Sequence, residues 1–193
     1  MMNEMSSALR PTIVMTLGLF ALTGLAYPAA VTGIAQAIMP EAANGSLITR
    51  DGTVVGSALI GQAFTSPSYL HPRPSAAGKG YDPLASGGSN YGPTAKALVD
   101  RIAADQKANP GAPADLLTAS ASGLDPHVSP QAALYQAPRI AAARHMPVSA
   151  VRRLIADHTE MPVASFLGQP RVNVLEVNLA LDSMGRTGAQ AAR

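Results

Sequence analysis

Pro11-Thr12-Ile13-Val14-Met15-Thr16-Leu17-Gly18-Leu19-Phe20-Ala21-Leu22-Thr23-Gly24-Leu25-Ala26-Tyr27-Pro28 opens an uncharged run that continues to Pro40 and is bounded by Arg10 and Glu41. About 20 apolar residues cross the roughly 30 Å hydrocarbon layer as a helix, so the run is long enough to span a membrane. Its polar groups up to Tyr27 are threonines, which can bond back to their own helix carbonyls. Tyr27-Pro28 marks an interface or a kink in a helix that continues through Ala35. The competing reading is a cleaved signal peptide, with Arg10 as charged leader and Ala35-Gln36-Ala37 as cleavage site. The run exceeds the roughly 7–15 residues of a signal core, which favours a retained anchor.

Residues 1–10 then form a short tail, 11–39 the anchor, 40–183 one soluble domain and 184–193 a C-terminal tail. Arg10 and the amino terminus on one side, against Arg50 on the other, place the tail in the cytoplasm and the domain outside it. Cysteine is absent, which removes disulfides, thiolate metal sites and cysteine nucleophiles. The net charge is +2, and the basic residues are scattered, which argues against nucleic acid binding.

Leu47 to Ile60 reads as two short strands around Asp51-Gly52, with the corner between Arg50 and Thr53. The stretch from Thr65 to Thr94 is rich in Pro, Gly and Ser, the composition of a functional or docking loop. Pro93 opens a helix through Lys107, with Ala95, Leu98, Val99 and Ile102 on one face. Ser129 caps a second helix that starts at Pro130 and runs toward Arg144. Pro147 opens a third, with Val148, Val151, Leu154 and Ile155 on one face and Arg152 and Arg153 in solvent. Arg171 to Asp182 alternates like a strand but also allows a helix, and Ser183 onward reads as a frayed tail. Early strands and later helices give an α+β class: one N-terminal transmembrane helix followed by a single small α+β domain.

The chemical signals are weak one by one. Gly87-Gly88-Ser89-Asn90-Tyr91-Gly92-Pro93-Thr94 has the glycine spacing of a phosphate loop, but Pro93 stands where the lysine is needed and removes a backbone donor. Asp125, His127 and nearby hydroxyls suggest a hydrolytic or metal site. Zinc would require a further ligand such as His158 or Glu160, and a hydrogen-bonded corner is the simpler use. Ser120 and Ser122 lack a nucleophile elbow, so catalysis by this chain is not expected. His71 and His145 read as surface or packing residues. Arg73, Arg139 and Arg171 either clamp a partner or brace loops within the domain.

Together these stretches resemble the C subunit of the Kdp potassium-transporting ATPase. The resemblance rests on the N-terminal span, Gly56 to Gln62, Arg73 to Ala76, Ser86 to Thr94, Asp115 to Pro130, His158-Thr159-Glu160 and Phe166 to Leu175. The departures are Met161 to Ser165 and Tyr69-Leu70-His71-Pro72. The resemblance implies a non-catalytic accessory subunit of a bacterial inner-membrane complex for high-affinity potassium uptake, crossing the membrane once. The implied partners are a channel-like pore subunit, a P-type ATP-hydrolysing subunit and a very small membrane subunit, with lipid around the span. No cofactor or metal is expected on this chain, and ATP enters only at the level of the complex.

Two mechanisms are attached to such a subunit: a cap or support at the pore entrance, and a chaperone that raises ATP affinity through a transient ternary complex. The orientation favours the first. Arg73, Ser75, Ser89, Asn90, Asp125, His127, Arg139 and Arg171 are the expected partner-binding residues, on the loop from Arg73 to Thr94, the segment from Ser120 to Ser129, and beyond. The competing classes are a signal-anchored extracytoplasmic hydrolase using Asp125, His127 and a serine, and a cleaved solute-binding protein.

Overall fold

The apolar run is helical from Pro11 to Ile38 in a computed structural model, which describes residues 2–164 and 166–191, with side chains over 7–164 and 166–184. Helix α1 (Met2–Phe20) passes through one widened π turn, Ala21–Ala26, into α2 (Tyr27–Ile38). The irregularity falls just ahead of Pro28, which has no N–H to donate and whose ring crowds the preceding turn; a wider turn relieves both. Thr23 donates to the Leu19 carbonyl at 2.7 Å, the back-bond expected of a hydroxyl in an apolar helix. Ser7 to Ile38 makes one candidate span of 32 residues with none of its most apolar window buried. The side-chain amides of Gln36 and Asn44 pair reciprocally at 3.1 and 3.2 Å across the turn into the short helix α3 (Pro40–Ala43).

The chain divides after Leu47, and Ile48 onward forms a second unit. Strands β1 (Leu47–Arg50) and β2 (Thr53–Ser57) meet at Asp51 and Gly52, both with positive φ (52° and 78°). That is the geometry an Asp-Gly hairpin turn requires. A second, three-stranded sheet has the order β3 (His127–Val128), β5 (Arg171–Asn173), β4 (Thr159–Glu160), antiparallel throughout.

Over it pack α5 (Pro130–Arg144), α6 (Val148–Asp157) and α7 (Val174–Ala191). The core joins Ala132, Ala133, Ala137, Ile140 and Ala141 of α5 to Val151 and Ile155 of α6 and Val177 and Leu181 of α7, with Val128, Val172 and Leu70. Alanine along α5 lets its neighbours approach closely, and the core is aliphatic, as so aromatic-poor a chain must make it. The fold is α+β, with one N-terminal apolar helix ahead of the domain.

Ser129 caps α5 by accepting from the Ala132 N–H at 3.0 Å, and Arg152 and Arg153 are exposed, both as read from the sequence. The helix expected from Pro93 instead starts later, as α4 (Lys96–Ala108). Pro93 and Thr94 occupy a turn closed by the Ala95 N–H on the Gly92 carbonyl at 3.0 Å, with proline at the position where type I turns favour it. The ambiguous segment from Arg171 is strand for three residues and then helix. The switch is at Asn173, whose Oδ1 accepts from the Glu176 N–H at 3.2 Å and so caps α7. The residues expected as tail from 184 continue α7 to Ala191.

Candidate functional site

A long irregular segment inside a domain must find partners for its backbone polar groups. Around Leu70 and His71 those partners are side-chain amides. Asn178 of α7 accepts from the Leu70 N–H at 2.7 Å and donates to the Leu70 carbonyl at 3.0 Å. Gln136 of α5 does the same for His71, at 2.9 and 3.0 Å. Each amide thus replaces a neighbouring strand for one residue, and both are almost wholly buried.

Two arginines extend the grip. Arg139 donates to the carbonyls of Pro67 (2.6 Å) and Tyr69 (3.1 Å) and to Gln136 Oε1 (2.7 Å). Arg144 donates to the carbonyls of Ser68 (2.6 Å) and Leu181 (3.0 Å) and to Asp182 (2.9 Å), and its guanidinium lies 4.9 Å from the Tyr69 ring centre.

Beyond Pro72 the segment turns onto the 118–127 stretch. Arg73 forms an ion pair with Asp125 at 3.0 Å, and Asp125 also accepts from the His127 N–H at 3.0 Å. Ser75 donates to the Gly123 carbonyl at 2.6 Å and accepts from the Tyr81 N–H at 2.8 Å, while the Tyr81 hydroxyl donates to the Arg73 carbonyl at 2.7 Å. Gly123 has a positive φ of 68°, and a Cβ there would come within 2.7 Å of the Ala77 nitrogen, so close approach as well as conformation calls for glycine.

Burial works to raise the Asp125 pKa, but hydrogen bonds from His127 and Arg73, with the Arg73 charge, outweigh it and leave the carboxyl below its ordinary range. Burial, with the Asp125 charge adding to it, pushes the Tyr81 hydroxyl up, so it remains a donor at any physiological pH.

Between this segment, the start of the stretch after α4, and α5 lies an open groove of about 590 Å³. Phe64, Tyr81, Tyr135 and three prolines supply its walls, and Arg139, His71 and Arg73, the last already paired with Asp125, its cationic and titratable groups; among the described residues no Asp or Glu lines it. Burial lowers the His71 pKa, the Ser66 carbonyl opposes this and Arg139 adds to it, so the imidazole favours its neutral form. A groove of this kind suits an apolar or aromatic group carrying negative charge.

The structure brings Arg73, Ser75, Asp125 and His127 into one bonded cluster, with Arg139 on the same groove. Ser89 and Asn90 lie on a separate stretch whose preceding residues are stitched to 121–122: the Gly87 N–H and the Ser86 hydroxyl both donate to the Ser122 carbonyl. That inward-turned Gly87 N–H is not presented as a phosphate cradle would require. Arg171 sits apart, at the start of the central strand β5, paired with Glu160 of β4 at 2.9 Å. Among the described residues no group of three or more His, Asp and Glu gathers as a metal site. Ser129 is engaged as a helix cap and Ser122 accepts from the Leu124 N–H, so neither hydroxyl is set up as a nucleophile beside His127. Sequence reading missed Gln136, Asn178, Arg144 and Asp182; only the burial of amides on apolar helix faces would have signalled the first two.

The family model described as KdpC, K+-transporting ATPase, c chain, matches residues 9–183. A potassium-transporting ATPase KdpC subunit of Gemmatimonas aurantiaca is 54% identical over 191 residues, covering 95% of this chain and 96% of its own. Subunits of the same name from Rhodospirillum rubrum and Caulobacter vibrioides are 55% and 56% identical, covering 92% and 93% of this chain and 96% and 94% of their own. The match takes in both the anchor and the domain, and the chain therefore belongs to the KdpC family.

Proposed function

We propose that this chain is the accessory, non-catalytic C subunit of a potassium-transporting P-type ATPase. In this reading it is anchored once in a bacterial inner membrane, with a cytoplasmic N-terminus and an extracytoplasmic domain. It assembles with the pore subunit, the ATP-hydrolysing subunit and the small membrane subunit, and its domain steadies the entrance of the pore. The carrying observation is the family match running through the span and the domain together. The loop architecture supports a steadying role: backbone groups tied to buried amides and guanidiniums make a stiff surface, and stiffness lowers the entropy lost on docking. Potassium itself is coordinated by rings of carbonyls in pore proteins, so no ion site is assigned to this chain.

The second reading, a chaperone that raises the ATP affinity of the hydrolysing subunit, is favoured by one observation: the acid-free groove between Arg73, Arg139 and Tyr135. It requires the domain on the cytoplasmic side. Because the chain has no cysteine, orientation is read with Leu84→Cys, a position 96% exposed. In intact spheroplasts a membrane-impermeant maleimide is expected to label it; labelling only after lysis reverses the orientation and leaves the ATP reading standing.

For the docking surface, Arg73→Ala is expected to lower co-purification with the other subunits and to weaken apparent potassium affinity several-fold, the loss of one arginine contact. The far-ultraviolet circular dichroism should stay native. Unchanged co-purification and affinity would remove this face from the interface.

A further inference from the structure

A proline inside a helix leaves one carbonyl without its donor. In a regular α-helix that carbonyl would be Gly24, four residues before Pro28. The widened turn that eases Pro28 into the helix shifts the ladder by one residue. The Tyr27 N–H donates to the Leu22 carbonyl, five residues back, and is therefore not the partner of Thr23. Five residues after Thr23 stands Pro28, which has no N–H at all. The Thr23 carbonyl thus has neither of the donors its helix offers. Its own hydroxyl does not serve it either, being spent on the Leu19 carbonyl at 2.7 Å.

Depth makes this costly. Thr23 lies midway along the candidate span Ser7–Ile38, and about 20 Å of helix separates it from Arg10, the nearest charged residue in the sequence. Hydrocarbon supplies no donor there, and an orphaned backbone carbonyl is strongly penalised. A trapped water needs two or more polar partners of its own, which hydrocarbon does not provide. The approach is open: Thr23 and Gly24 are exposed, and glycine puts no side chain in the way. The Phe20 ring stands beside Gly24, 3.5 Å from where a Cβ would be.

Among the described residues the chain has one candidate span, so the donor comes from a second chain. A cationic donor would lose its hydration for a single carbonyl, which leaves a neutral hydroxyl or amide. In a parallel second copy the threonine at this depth already has its hydroxyl committed, which favours a different subunit.

We infer that the Thr23 carbonyl accepts a hydrogen bond, in the middle of the membrane, from a neutral hydroxyl or amide side chain on a transmembrane helix of another subunit of the same ATPase. The inference rests on the subunit reading above and adds a contact within the membrane, separate from the Arg73 face. It is tested in the assembled complex with p-benzoylphenylalanine in place of Phe20. Irradiation is expected to join it to another subunit, at a helix carrying Ser, Thr, Asn or Gln within one turn of the attachment. Adducts with lipid alone, with a second copy of this chain, or with a helix lacking such a residue overturn the inference.

The bond itself is read by a double-mutant cycle. Pro28→Ala restores the missing N–H within the helix and is expected to lower retention of the chain through a detergent wash roughly three- to tenfold. Replacing the mapped donor by alanine should do the same. Combined, the two are expected to lower retention no further than either alone, because both remove one bond; losses that multiply overturn the inference. Tyr27→Phe is expected to leave retention unchanged. A loss equal to that of Pro28→Ala would assign the donor to the tyrosine of a second copy and overturn it. A wild-type chain that fails to co-purify with the other subunits overturns the subunit reading itself, whereas one that co-purifies but cross-links only to lipid overturns the hydrogen bond alone.

Discussion

Replacing Asn178 by alanine is expected to lower the stability of the domain by about 3 kcal/mol, and the unfolding midpoint by roughly 6–12 °C for a domain of this size. The side chain is 2% exposed and satisfies both backbone groups of Leu70, itself fully buried. Removing it strands one N–H and one C=O away from water, at about 1–3 kcal/mol each. The comparison that isolates this cause is Asn178→Asp. An aspartate keeps the acceptor for the Leu70 N–H but cannot donate to the carbonyl when ionised, so it retains part of the grip and improves when protonated. Thermal unfolding of the full chain in detergent gives the loss. Hydrogen exchange at the Leu70 amide shows where it arises, and exchange as slow as in the wild type would mean that the amide clamp contributes little.

The second large effect belongs to Arg144→Met, with an expected loss of about 2–4 kcal/mol and a changed response to acid. Arg144 satisfies the carbonyls of Ser68 and Leu181, pairs with Asp182 and covers the Tyr69 ring. Methionine keeps the bulk but leaves two carbonyls and a carboxylate poorly compensated. Lysine should rescue little, because a point charge cannot serve three acceptors in fixed directions.

The acid limb follows from Asp182. Burial raises its pKa, but hydrogen bonds from Arg144, Arg50 and Tyr69, with the Arg144 charge, outweigh this and hold it below the ordinary value. A carboxyl lowered on folding contributes stability that is complete above its unfolded pKa of about 3.9 and is lost as pH falls through the lower folded value. Without Arg144 the folded pKa rises, so this contribution shrinks and acid unfolding should begin at higher pH. Unfolding midpoints from pH 6 downward for both proteins check this, and parallel curves would mean that Asp182 is not what Arg144 holds.

What could be read from the sequence was local. The apolar run, the Asp51-Gly52 corner and the Ser129-Pro130 helix start each place their signal within a few residues of the element they create. Pro93 misled because proline at the second position of a turn and proline at the first position of a helix look alike, and the turn won. At Asn173 the alternation of Val172 and Val174 hid a cap whose partner, Glu176, lay three residues on. The groove was out of reach for a different reason. Arg73 and Arg139 were each named, but the bonds that hold them in its wall, to Asp125 and to the Pro67 carbonyl, cross 52 and 72 positions of chain, and no local period records such pairings.

The same clamp has a temporal consequence. Leu70 is held by a residue 108 positions further on, and His71 by one 65 positions further on. Translation delivers the apolar helix before the second amide, so a nascent chain that has not yet passed Asn178 holds a finished span and an unset groove. The groove wall is therefore set only once Asn178 has been made, well after the apolar helix is complete.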